Sequence, residues 1–156
     1  MPWSLIPFGQ FKGRTLPQVV FSDPDWFFWT IEGGDFTWRG SLGFEAQLIA
    51  SKARRIRIPD NANGRLVAEY VIDPGTKRFS DLRIVPSEQL LHEGGSVVER
   101  KPLIDLSASR RLAEYDKRGG QILLSCVREI LFGKPSARLT RKRTEEFFDD
   151  PQNFAP

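Results

Sequence analysis

The chain has 156 residues, 40% hydrophobic and 28% charged, with a formal net charge of +3 and a pI near 9.2. That balance fits one soluble globular domain and excludes wholesale disorder and any membrane-spanning run. One histidine and one cysteine exclude the usual zinc-ligand spacings and an internal disulfide, and no basic-then-apolar leader opens the chain, so the expected compartment is the cytoplasm.

The first segment, Ile6-Pro7-Phe8-Gly9-Gln10-Phe11-Lys12-Gly13-Arg14-Thr15-Leu16, is punctuated by glycine. Gly9 and Gly13 bracket Phe11 and Lys12 as in a tight turn or short hairpin whose backbone needs positive φ. Leu16, Val19 and Val20 predict one or two helical turns, with Pro17 tolerated in the first. A better-marked helix follows. Asp23 is a good N-cap, Pro24 suits the first helical position, Asp25 complements the dipole, and Gly33-Gly34 supplies the stop. Trp26 and Trp29 share a face of it, as do Phe27 and Ile31, so this helix should be the packing centre of an amino-terminal lobe, with Phe8, Phe11 and Phe21 around it. All four tryptophans lie at or before Trp38.

Residues 6–40 resemble the small C-terminal module of exonuclease X, which reads roughly Phe-Gly-Lys-Tyr-Lys-Gly-Lys, a short apolar helix, then Asp-Pro-x-Tyr/Trp-x-x-Trp. The resemblance is to an accessory module and implies nucleic-acid handling without an activity. It makes Lys12 and Arg14 the expected nucleic-acid contacts. Gln10 stands where the family often has lysine, which removes one positive charge.

Ser41 to about Arg54 predicts a third helix, with Lys52, Arg54 and Arg55 near its carboxyl end. Period-2 alternation then predicts a three-stranded antiparallel meander. Ile56, Ile58, Leu66, Tyr70, Ile72, Leu82 and Ile84 form its buried face, and turns fall at Asn61–Gly64 and Asp73–Lys77. The opposite face should show Arg55, Arg57, Arg65 and Arg83 among Glu69 and Asp81. Residues 87–96, which include His92, read as loop, and Val97 to Leu106 supplies an edge strand broken by Pro102. Beyond it, Ser107 or Ser109 caps a helix to about Arg118. Gly119-Gly120 separates this from Gln121–Phe132, expected to be the most buried helix and to hold Cys126 as a small core residue. Gly133 ends it, and a final helix starts at Ser136 or Thr140 and runs through Asp149.

Charge is unevenly distributed. Residues 1–40 hold Lys12, Arg14 and Arg39 against Asp23, Asp25, Glu32 and Asp35, so the positive excess lies beyond them. Two acid-free clusters stand out there: Lys52, Arg54, Arg55, Arg57, and Lys134, Arg138, Arg141, Lys142, Arg143. The second would place Arg138, Arg141 and Lys142 on one helix face, suited to phosphates and lacking the Asn or Gln that reads base edges. Asp23, Asp25, Asp149 and Asp150 are the candidate magnesium ligands. The first pair is better explained as helix caps and the second as partners of the preceding arginines, so no metal is expected. No nucleophile–base pair, P-loop or dinucleotide fingerprint is present, and no cofactor is expected.

The sequence thus predicts a single α+β domain: an aromatic helical lobe (1–40), a helix plus a three- to four-stranded antiparallel sheet (41–106), and helices packed on it (107–156). The expected function is a non-enzymatic accessory protein that binds nucleic acid, DNA rather than RNA. The residues expected to contact it are Phe11, Lys12, Arg14, Arg55, Arg57, Arg138, Arg141 and Lys142. The alternative is a protein-interaction or inhibitor module that regulates a nucleic-acid enzyme or defence complex without touching nucleic acid.

Overall fold

Capping residues divide the amino-terminal third into its helices. The Gln18 side chain accepts from the Thr15 amide at 3.0 Å, which starts α1 (Leu16–Ser22). Asp23 then serves both ends: its amide donates to the Val19 carbonyl at 2.8 Å, and its carboxylate accepts from the Trp26 amide at 3.0 Å to open α2 (Pro24–Glu32). Gly34, at φ 76°, carries the chain out of α2. Helix α3 (Ser41–Ala53) approaches the preceding turn so closely that a Cβ on Gly43 would lie 2.5 Å from the Phe36 carbonyl oxygen. The structure, a computed structural model, describes residues 2–37, 40–90, 97–114 and 116–156.

The fold is α+β, with a 3-stranded and a 2-stranded antiparallel sheet. Strand β2 (Leu66–Ile72) lies between β3 (Phe79–Pro86) and β4 (Val97–Lys101). Tyr70 faces both Leu82 and Glu99 across the ladders. Here the structure corrects the expected meander. Its third strand is β4, whereas β1 (Ile56–Arg57) pairs with β5 (Leu103–Ile104). Pro59 stops β1 after one turn of pleat, and Pro102 separates β4 from β5, because a proline nitrogen cannot donate to a ladder. The outer face of the larger sheet is also not open. Glu69 is 1% exposed, Val71 and Val85 are buried, and Arg100 reaches over the sheet to the carbonyls of Ser87 and Gln89. Strands β3 and β4 are both antiparallel to β2 and so run parallel to each other. Of the expected loop, residues 87–89 form a turn, while His92 lies outside the described residues.

After β5 come α4 (Ala108–Ala113), α5 (Lys117–Phe132), α6 (Arg141–Asp149) and a short 3-10 turn (Pro151–Asn153). Two expectations fail here. Gly119-Gly120 does not separate helices: both glycines sit in the first turn of α5, whose cap is Asp116. A Cβ on Gly119 would lie 2.4 Å from Asp116 Oδ2 and 3.0 Å from Phe79 Cβ, so glycine is there for close packing and does not break the helix. Nor is α5 the most buried helix. Only Gly119, Leu123 and Val127 are fully buried in it, against seven residues of α3, because α5 lies as a cover on β3.

The core is one contiguous cluster reaching from Trp3 to Phe154. Phe21 of α1 meets Phe132, Phe147 and Phe148 at ring separations of 5.3–5.5 Å, and Phe154 stacks on Phe148 at 5.4 Å. The first helix is thereby joined to the last.

Candidate nucleic-acid interface

Main-chain hydrogen bonds shape the glycine-punctuated segment into a closed loop. The Ile6 amide donates to the Arg14 carbonyl and the Gly13 amide to the Ile6 carbonyl, each at 2.8 Å, and Lys12 N–H donates to Gly9 at 3.2 Å. Gly9 and Gly13 take φ of 71° and 86°, the left-handed region the sequence demanded of them. The loop is pinned from inside to α2 and the turn after it: the Phe11 ring meets Trp26 edge-on at 4.9 Å, and Phe8 meets Phe36 at 5.7 Å. Phe11 is therefore half-buried, and its contact with Trp26 does more to fix the loop than to offer a ring. Lys12 and Arg14 project from it, both exposed, with no acidic partner among the described residues.

The acids of α2 do not oppose them. Asp23 is occupied as a cap, while Arg110 bridges Asp25 at 3.4 Å and Glu32 at 3.3 Å. Trp29 is 54% exposed, which corrects its expected place in the packing centre. The core stripe of α2 is Pro24, Phe27, Phe28 and Ile31, spaced i, i+3, i+4, i+7, and Trp26 and Trp29 lie beside it. That spacing was available in the sequence and would have shown Trp29 to be free. No comparable signal marked Arg110, whose partners are some 80 positions away.

The other predicted contacts, Arg138 apart, are engaged elsewhere. Arg55 donates to the Ala155 carbonyl and Arg57 to the Phe154 carbonyl at 2.9 Å, while Phe154 bridges to Ile56. These two arginines fasten the carboxyl-terminal segment to β1. Arg138 is not on a helix face with Arg141 and Lys142, because Thr140 caps α6 by accepting from the Arg143 amide at 3.2 Å and leaves Arg138 outside. Arg141 pairs with Glu145 at 2.8 Å and Lys142 with Glu146 at 3.9 Å, one helical turn on. Arg143 lies over the Phe132 ring. Within the second cluster Arg141 and Lys142 thus carry counter-charge, while Lys134 and Arg138 have no acidic partner among the described residues.

Asp149 accepts from Trp3 Nε1 at 3.2 Å, and Asp150 caps the final 3-10 turn through the Gln152 amide. These partners replace the arginines expected for Asp150 and add a tryptophan for Asp149. Among the described residues no three His, Cys, Asp or Glu side chains come close enough to share a metal ion. No described helix is long and apolar enough to cross a membrane. Cys126 is half-buried against β3, and burial pushes its thiol above the ordinary range, with Asp81 nearby adding to the effect.

Tyr70 is the most strongly perturbed group among the described residues. Burial pushes its phenol up to about 12, partly offset by the Asp105 amide, which donates to its oxygen at 3.1 Å. A phenol that ionises later in the folded than in the unfolded chain stabilises the fold below pH ~10 and loses that contribution as pH rises toward 12. Stability should therefore fall between these limits in the natural chain, and Tyr70→Phe should flatten the fall. Urea unfolding at pH 8 to 11 checks this, and an equal slope in both proteins would contradict it.

No protein-family model, curated protein or solved structure matches this chain.

Proposed function

We propose that this protein is a non-enzymatic accessory factor that binds nucleic acid, DNA rather than RNA, with the loop Gly9–Arg14 as its principal contact. The observation that carries the reading is the pair Lys12 and Arg14: two uncompensated cations on a loop closed at its base and pinned to an aromatic helix. Cations held in place lose less entropy on meeting phosphate than cations on a mobile tail. The exposed Trp29 ring on α2 adds a surface on which an unpaired base can stack, so the favoured form is single-stranded. The motif resemblance of residues 6–40 favours the same partner class. The carboxyl-terminal helix, its cations paired with Glu145 and Glu146, contributes less than its sequence suggested.

Fluorescence anisotropy with a labelled single strand, titrated between about 50 and 200 mM salt, tests this. Lys12→Ala with Arg14→Ala should lower the slope of log K against log salt by roughly 1.4 on single strands, near 0.7 for each lost contact. Arg141→Ala with Lys142→Ala should lower it by less than about 1. Absence of binding at the lowest salt overturns the reading. The protein-interaction module then takes its place, favoured by Phe44, which stands 69% exposed on the outer side of α3.

A further inference from the structure

A cleft of about 320 Å³ opens between β2, β5, α4 and the carboxyl end of α3, and no residue of the Lys12–Arg14 loop lines it. Its walls include the buried side chains of Phe79 and Leu112, and Tyr70 lies among them. The Tyr70 hydroxyl is already satisfied, accepting from the Asp105 amide and donating to the Leu103 carbonyl at 3.5 Å, so the interior offers an incoming molecule rings and methyl groups more than hydrogen bonds. The elevated pKa of that phenol reports the same dry surroundings.

The rim is charged, and its charges do not cancel. Three cations, Arg54, Lys101 and Arg111, face two carboxylates, Glu99 and Asp105. Glu99 is taken by Lys101 at 3.0 Å. Asp105 accepts from the Ser107 amide at 2.8 Å and hydroxyl at 2.6 Å, and Arg111 stands 3.9 Å from its other oxygen. Arg54 remains. Its guanidinium is held over the Phe28 ring at 5.0 Å and has no acid partner among the described residues. A guanidinium oriented by stacking and left with its fork of donors free matches one carboxylate in two parallel hydrogen bonds.

We infer that this cleft is a binding site for a small monoanionic amphipathic molecule, an aromatic carboxylate, whose ring enters between Phe79 and Leu112 and whose carboxylate meets Arg54. A dianionic phosphate fits less well: one net positive charge would face two negative ones, and Glu99 would repel the second. The volume suits a molecule of one ring and its substituents, at the small end of ligand pockets. The inference does not depend on nucleic-acid binding, since none of these residues belongs to the loop.

Benzoate is the probe, with benzyl alcohol and inorganic phosphate as comparators, each followed by amide NMR shifts in the full chain. Benzoate should saturate with shifts centred on Tyr70, Leu103, Asp105 and Leu112, and the two comparators should bind at least about tenfold more weakly, the loss of one charge-assisted pair. Arg54→Gln should weaken benzoate by about the same factor with an unchanged melting temperature, and Arg54→Lys should fall between. The proposal is overturned if benzoate fails to saturate, if phosphate binds as well, if the shifts fall outside the cleft, or if Arg54→Gln leaves affinity unaltered.

Discussion

Phe148→Ala is expected to destabilise the protein by about 3–5 kcal/mol, the largest effect of any single truncation considered. The ring is fully buried and touches aromatic neighbours from three parts of the chain: Phe21 of α1, Phe147 beside it, and Phe154 beyond the last helix. Its loss leaves a cavity between elements held by their own backbones, and the surrounding rings can collapse into it only partly. A domain of this size has about 5–15 kcal/mol of stability in all, so about a fifth or more disappears. Because of these contacts the amino-terminal lobe and the rest of the chain are expected to unfold as one cooperative unit. Denaturant unfolding of Phe148→Ala, followed by tryptophan fluorescence and by far-ultraviolet dichroism, should therefore give coincident curves shifted together. Two separated transitions would show that the lobe folds independently. Phe44→Ala is the matched control: the same truncation at an exposed site should change stability by no more than about 0.5 kcal/mol.

Asp116 is the second site of large effect. Its carboxylate is buried and accepts two main-chain donors, the Gly119 amide at 2.9 Å in the first turn of α5 and the Phe79 amide at 3.2 Å at the start of β3. One side chain thus starts a helix and fixes the strand beneath it. Asp116→Ala removes the cap and leaves both donors in a site closed to water, at an expected cost of about 3 kcal/mol. Gly119→Ala should be damaging for a related reason, since its new methyl would occupy the space of the Asp116 oxygens. The two substitutions are therefore not additive. In the Asp116→Ala background most of the clash is gone, and Gly119→Ala should cost at least about 1 kcal/mol less than it does alone. Additivity within about 0.3 kcal/mol in a double-mutant cycle would refute this account of the glycine.

Local signals carried the sequence reading far, above all in the first third of the chain. Asp23 with Pro24, the Gly9 and Gly13 pair, and Gly133 at φ 94° all act where their backbone chemistry said they would. The failures share a physical cause: they concern partners distant in sequence. Alternation identifies Ile56 as strand but says nothing of Ile104, its actual neighbour. Gly119-Gly120 looks like a break until Phe79 and Asp116 are known to press on it. A run of cations reads as a phosphate surface until Thr140 sets the helix start and Glu145 and Glu146 fall one turn beyond Arg141 and Lys142. Arg55 and Arg57 carry charge in plain sight, yet their acceptors are carbonyls of residues about 100 positions on. Within the candidate interface, the loop and its cations were legible. The shielding of the α2 acids by Arg110 was not.

The stitching of residues 147–155 onto the first third of the chain sets the timing of folding during synthesis. Helix α1 cannot bury Phe21 against Phe147 and Phe148, nor can β1 gain its bridge to Phe154, until those residues have left the ribosome. A nascent chain that has emerged only as far as α5 leaves open the face of α1 that α6 covers. Such surfaces are where chaperones bind and where crowded chains stick to one another. Closing loops of about a hundred residues or more before these contacts are rewarded also slows the final step.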